Sequence, residues 1–200
     1  HFDMPDYLLR EYNGFLNKKV IDFYAKHVEV VVNRLKGKVK YWLTYNEINL
    51  APYQSDLVAG AYRPEDMSMT EMFAQLSINT AIAHARAVEV IKRIDSNAWV
   101  GGMIGHAPFY PLTCKSEDII AADFKNKMHN YLPFDIMTSG ELPDYFLNFI
   151  KQRHIHIDYK EREQKVVLES SQKLDYLAFS YYRSGVQSSF DHIEDFIDLE

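Results

Sequence analysis

Residues 40–50 read KYWLTYNEINL: an apolar, strand-like run that ends abruptly in an amide and a carboxylate, Asn46 and Glu47. A carboxyl half-buried at a strand tip is costly to keep charged, and a carboxyl that holds its proton is what general-acid chemistry uses. The amide beside it offers donors and an acceptor at a fixed place, suited to gripping a hydroxyl. The competing reading is local: Glu47 caps a following helical turn and Asn46 closes a turn bond. Spacing alone leaves the two readings open.

Whether the pair can do chemistry depends on the elements that present it. Apolar residues at steps of three and four (Val20, Phe23, Tyr24, Val28, Val31, Leu35) predict a helix over 17–36, with Asn17 as its cap and Gly37 as its stop. The β-branched and aromatic run Val39–Tyr45 predicts a buried strand. A loop over roughly 48–68 leads to a long helix over 69–94 with Ile78, Ile82, Ala85, Val88 and Ile91 as its apolar stripe. A second strand is expected at Ala98–Ile104 and a third at Leu174–Ser180, with helices near 116–130, 142–153 and 162–171 between them. Strands apolar throughout and separated by helices imply parallel βαβ units buried on both faces. The class is α/β, either an open doubly wound sheet or a (β/α)8 barrel. Neither G-x-G-x-x-G nor a phosphate-binding P-loop occurs, and the Gly101–Gly102 pair lies within a strand, where glycine serves close packing. In parallel α/β proteins chemistry gathers at the C-terminal ends of strands, where Asn46 and Glu47 fall.

Bulk properties narrow the function. The chain has 200 residues, 47% hydrophobic and 25% charged, with a formal charge of −6. That sign repels phosphate backbones and argues against nucleic acid as a partner. No apolar run approaches the ~20 residues that cross a bilayer, so no membrane partner is expected. A lone cysteine, Cys114, cannot pair within the chain; it reads as a small buried hydrophobe in a reducing compartment. The 14 tyrosines and 12 phenylalanines suit a carbohydrate cleft as well as a core.

The motif W-x-T-x-N-E, here Trp42, Thr44, Asn46 and Glu47, resembles the signature of glycoside hydrolase family 1, the β-glucosidases and 6-phospho-β-glucosidases. HFDMPDYLL at the start is similar to the family's segment at the end of barrel strand 3, and LDYLAFSYYRS to its strand 6 segment. FYPLTCKSEDIIAAD is similar to the bacterial 6-phospho branch. The resemblance implies a single domain over residues 1–200, an internal portion of a (β/α)8 TIM barrel covering about strands 3 to 6. It implies, for the intact parent, retaining hydrolysis of β-glycosides of the 6-phospho-β-glucoside type, in the cytoplasm and with neither metal nor organic cofactor. By the same resemblance Glu47 is the acid/base, Asn46 bonds the sugar 2-hydroxyl, His1 bonds hydroxyls of the same sugar, and Tyr182 supports the nucleophile carboxylate. Ser180 stands where many members have Asn. The nucleophile's I/T-E-N-G segment does not occur; Glu141 and Glu169 lack its context and are not assigned. The chain alone is therefore expected to turn over little or nothing. The alternatives are a non-catalytic carbohydrate-binding module and a structural fragment.

Other candidates carry less. His106 follows a strand and falls on the catalytic rim; His154 and His156 have a metal-like spacing, but sit in a helix end and loop with no third ligand nearby. Asp135 and Asp144 read as caps or loop residues. A part of a barrel exposes parallel edges and an apolar wall. We therefore expect the chain to self-associate through these edges, which sedimentation would show as an oligomer; a stable monomer with a bare apolar patch contradicts this.

Overall fold

The structure, a computed structural model, describes residues 4–189. The predicted His1 contact lies outside them. A short helix, α1 (Asp6–Tyr12), has no counterpart in the sequence reading; it carries no buried residue and therefore no strong apolar stripe. Helix α2 (Lys18–Leu35) is capped as expected, Asn17 accepting from the Lys19 N–H at 3.0 Å, and Gly37 follows in the left-handed region. Strand β1 (Tyr41–Leu43) is shorter than the apolar run, because Tyr45 turns away to donate its hydroxyl to the Val58 carbonyl at 2.7 Å. Helix α3 (Met69–Ile94) starts at a capping box in which Ser68 and Glu71 satisfy each other's backbone N–H groups.

Strand β2 (Trp99–His106) runs into a short β3 (Phe109–Pro111). Helix α4 (Ser116–Asn126) continues through a π-turn, Lys127–Tyr131, into α5 (Leu132–Ser139), which sequence periodicity did not separate from a loop. Helices α6 (Asp144–Gln152) and α7 (Glu161–Ser171) lead to β4 (Tyr176–Tyr181) and a short β5 (Gly185–Gln187). Asp135 lies in the first turn of α5 and accepts the Tyr145 hydroxyl at 2.7 Å, while Asp144 opens α6 without a side-chain cap bond. Among the described residues β1, β2 and β4 form a parallel sheet in that order, and β3 pairs in parallel with β5. No helix of the described residues is long and apolar enough to cross a membrane.

Register assigns the faces, since paired residues share a face and neighbours alternate. Val100, Gly102 and Ile104 face the helices. Tyr41, Gly101, Met103, Gly105, Tyr176, Ala178 and Ser180 share the opposite face. The glycine pair serves both: a Cβ on Gly101 would stand 2.5 Å from the Tyr176 ring, and one on Gly102 would stand 2.2 Å from Met137 Sδ. The main core joins α2, α3, α5, α6 and α7, and α3 is buried nearly all round by its alanines and isoleucines.

Three expectations need correction. The strands are not buried on both faces: Leu177, Phe179 and Tyr181 of β4 are 40%, 64% and 58% exposed, because the helices cover β1 and β2 but leave that part of the sheet bare. The α2 stripe is unevenly covered: Val20 and Val28 are buried and Phe23, Tyr24 and Val31 only half-buried, and all five line a cavity of about 610 Å³ beside β1. Cys114 is exposed, in the connection between β3 and α4, rather than buried.

Beneath the sheet, α3 holds His84 fully buried, its Nδ1 2.6 Å from the Thr44 hydroxyl and its Nε2 without a partner among the described residues. Burial pushes this imidazole down from 6.5 to about 4. It is neutral in the fold at neutral pH, and as pH falls below 6.5 the unfolded chain takes up the proton first. Stability should thus be unaffected above pH 7 and fall between pH 6.5 and 4, by about 3 kcal/mol for this residue. Urea midpoints measured across that range check it; a His84→Gln chain should lose this residue's share of the slope and keep the similar share of His129, which burial also holds at about 4.

Candidate active site

Glu47 sits four residues beyond the end of β1, at φ 47° and ψ 53°, in the left-handed region that a glutamate seldom adopts. Strain of this kind persists where surrounding contacts over-determine it and clusters at functional sites. The conformation opens a 3-10 turn, Ile48–Leu50, whose Leu50 N–H bonds the Glu47 carbonyl at 2.8 Å. The Glu47 side chain makes no capping bond, so the local reading does not account for it. Only 4% of the residue is exposed. Its Oε1 accepts the Tyr182 hydroxyl at 2.6 Å, at the short end of hydroxyl–oxygen hydrogen bonds.

Tyr182 reaches it by strand parity: Ser180 pairs with Gly105, and Tyr182, two residues on, stands on the same face of the sheet. By the resemblance this hydroxyl supports the nucleophile carboxylate; among the described residues its partner is Glu47. His106, by contrast, pairs with Tyr181 on the opposite face and packs edge-on against Phe179, ring centroids 5.7 Å apart. It lies at the rim but on the helix side of the sheet. Asn46 is half-buried and lines the 610 Å³ cavity, together with Trp42, Thr44 and Tyr45. The strand-tip residues are fixed from below as well, the Tyr24 hydroxyl donating to the Thr44 carbonyl.

A set of amides missed in the sequence holds the rim in place. The Asn49 side chain donates to the Gly105 carbonyl and accepts from the Gly105 N–H, both at 2.8 Å. Asn130 does the same for Ala107, at 2.9 and 3.1 Å, and Asn126 for Phe109, at 2.7 and 3.0 Å. Alternate residues of the chain leaving β2 are thus bound edge to edge by three asparagines, as a further strand would bind them. Asn126 and Asn130 stand one helical turn apart, but nothing in that spacing names the distant backbone they bind. His129, on the π-turn, packs against Tyr53 and Phe109. Its pKa is held down at about 4, chiefly by burial, with the Lys125, His106 and Arg183 charges adding to the effect and a bond to Asn130 opposing it.

His154 and His156 are exposed on the connection after α6. Among the described residues no group of three or more His, Cys, Asp or Glu side chains is placed to hold a metal ion.

The chain has relatives among known proteins. The chain is 33% identical over 194 residues to the aryl-phospho-β-D-glucosidase BglA of Bacillus subtilis, covering 94% of this chain and 40% of that protein. It is 29% identical over 189 residues to the 6-phospho-β-glucosidase AscB of Escherichia coli, covering 94% of this chain and 39% of that protein. The chain therefore spans about 40% of the length of these relatives. Among solved structures, a family 1 β-glucosidase from Thermotoga maritima superposes with a TM-score of 0.78 at 24% identity, covering 97% of this chain and 42% of its own. The likeness places the sheet and helices in part of a TIM barrel. Residues 1–197 match the sequence pattern of glycosyl hydrolase family 1, and the chain belongs to that family.

Proposed function

We propose that this chain contributes the acid/base half of a retaining β-glycosidase site acting on 6-phospho-β-glucosides in the cytoplasm. The observation that carries the reading is the Glu47 carboxyl: buried, strained into place, unused as a cap and held by Tyr182 at 2.6 Å. In that role Glu47 protonates the glycosidic oxygen as the leaving group departs and then takes a proton from the incoming water. Asn46 holds the sugar 2-hydroxyl in a contact that strengthens as the ring approaches the oxocarbenium-like transition state. His1 completes the grip on the same sugar. The phosphorylated substrate class rests on the similarity to phospho-glucosidases.

Retention requires a second carboxylate about 5–5.5 Å from the first, close enough to attack the anomeric carbon itself. No segment of this chain has the family's nucleophile context, so we assign that carboxylate to the remaining part of the barrel. Tyr182 has one proton to donate and serves one carboxylate at a time. In this chain it holds Glu47; in the complete site the second carboxylate competes for it. The bare part of the β4 face and the cavity beside β1 are the surfaces through which the rest of a barrel, or another copy, would cover the sheet.

In the protein extended to the length of its relatives, a chromogenic β-glucoside 6-phosphate should be hydrolysed, and Glu47→Gln should lower kcat by roughly 10²–10⁴. Unchanged turnover in the Glu47→Gln protein overturns the acid/base assignment. Sugar binding without turnover, seen by calorimetry, would favour a binding module instead.

A further inference from the structure

Asn49 and Gly105 meet directly below the Glu47 carboxyl, and each has a property that the fold alone does not demand. Asn49 lies two residues after Glu47, in the 3-10 turn that Glu47 opens. Its amide ties that turn to β2 through both backbone groups of Gly105 at 2.8 Å, and a third bond runs to the His129 carbonyl at 3.1 Å. These bonds fix the height of the turn above the strand. They use only backbone atoms of residue 105, so any residue there except proline could make them. Nor does the backbone require glycine, since Gly105 is not among the residues with positive φ. What the site does exclude is a side chain. A Cβ on Gly105 would stand 3.2 Å from Glu47 Cδ, 3.4 Å from Oε2 and 3.5 Å from Cγ, and these are its three nearest contacts. The carboxyl cannot retreat freely, because Tyr182 bonds it at 2.6 Å and burial encloses it.

We propose that Asn49 and Gly105 are positioning residues for Glu47: the amide sets the height of the turn over β2, and the absent side chain lets the carboxyl lie against the strand within reach of Tyr182. Its catalytic significance rests on the proposed role of Glu47; the geometry itself does not. A methyl group at 105 displaces the carboxyl by a few tenths of an ångström, enough to lengthen a bond that is short to begin with.

The Tyr182 hydroxyl reports this directly. In the chain labelled with 13C at the tyrosine Cζ, the Tyr182 resonance is identified by its loss in Tyr182→Phe, and Glu47→Ala gives its position without the carboxylate. Gly105→Ala should move the resonance at least halfway to the Glu47→Ala position, while the Tyr24 and Tyr45 resonances stay in place. Asn49→Asp, which keeps the shape but loses the donor, should move it in the same way. A Tyr182 resonance at its native position in either folded variant overturns the proposal. So does failure of both variants to fold, which would make the pair a folding determinant only. The readout involves no turnover, so an inactive chain would count against the proposed function and leave this result standing.

Discussion

The paired hydrogen bonds between the Asn49 amide and the Gly105 backbone are the contact on which the rest of the site depends. They bind the turn that follows β1 to the strand beside it, where no backbone ladder is available. Glu47 can be strained, buried and aimed only because the residues on either side of it are fixed: Thr44 through Tyr24, and Asn49 through Gly105. A buried amide that pairs both its donor and its acceptor adds specificity without introducing a charge to be solvated. Tyr182 then arrives by strand parity from β4, which places its hydroxyl on the carboxyl with no further adjustment.

Helices were the most legible feature of the sequence. The bounds of α3 follow from its stripe and its Ser68–Glu71 box, and those of α2 from Asn17 and Gly37, because caps and periodicity are local. The helix α5 escaped notice because a π-turn joins it to α4 and disrupts the period on which a sequence reading relies. The strands were found, but their burial was misjudged: an apolar run such as that of β4 records the surface meant to be covered, whether or not a covering element is present. Cys114 shows the same limit from the other side, since residue type gives burial only as a tendency.

Of the site, Asn46, Glu47 and Tyr182 were legible as residue types at strand ends, with family resemblance supplying their roles. Their geometry was not. Nothing in the spacing indicates that Glu47 takes a left-handed conformation, or that the Tyr182 hydroxyl bonds it. The asparagine set was invisible for a plainer reason. Asn49, Asn126 and Asn130 are separated by up to 81 residues, and an amide's preference for a distant backbone edge leaves no local pattern.

The choice of asparagine for that frame has a consequence for how the turn that bears Glu47 answers to acidity. Amides neither gain nor lose charge across the range in which a living cell operates, whereas a zipper of carboxylates or imidazoles would loosen whenever acidity changed. Their closest titrating companion, His129, stays neutral until about pH 4. The mounting of the Glu47 turn is thus indifferent to acidity throughout the range in which that histidine keeps its neutral form.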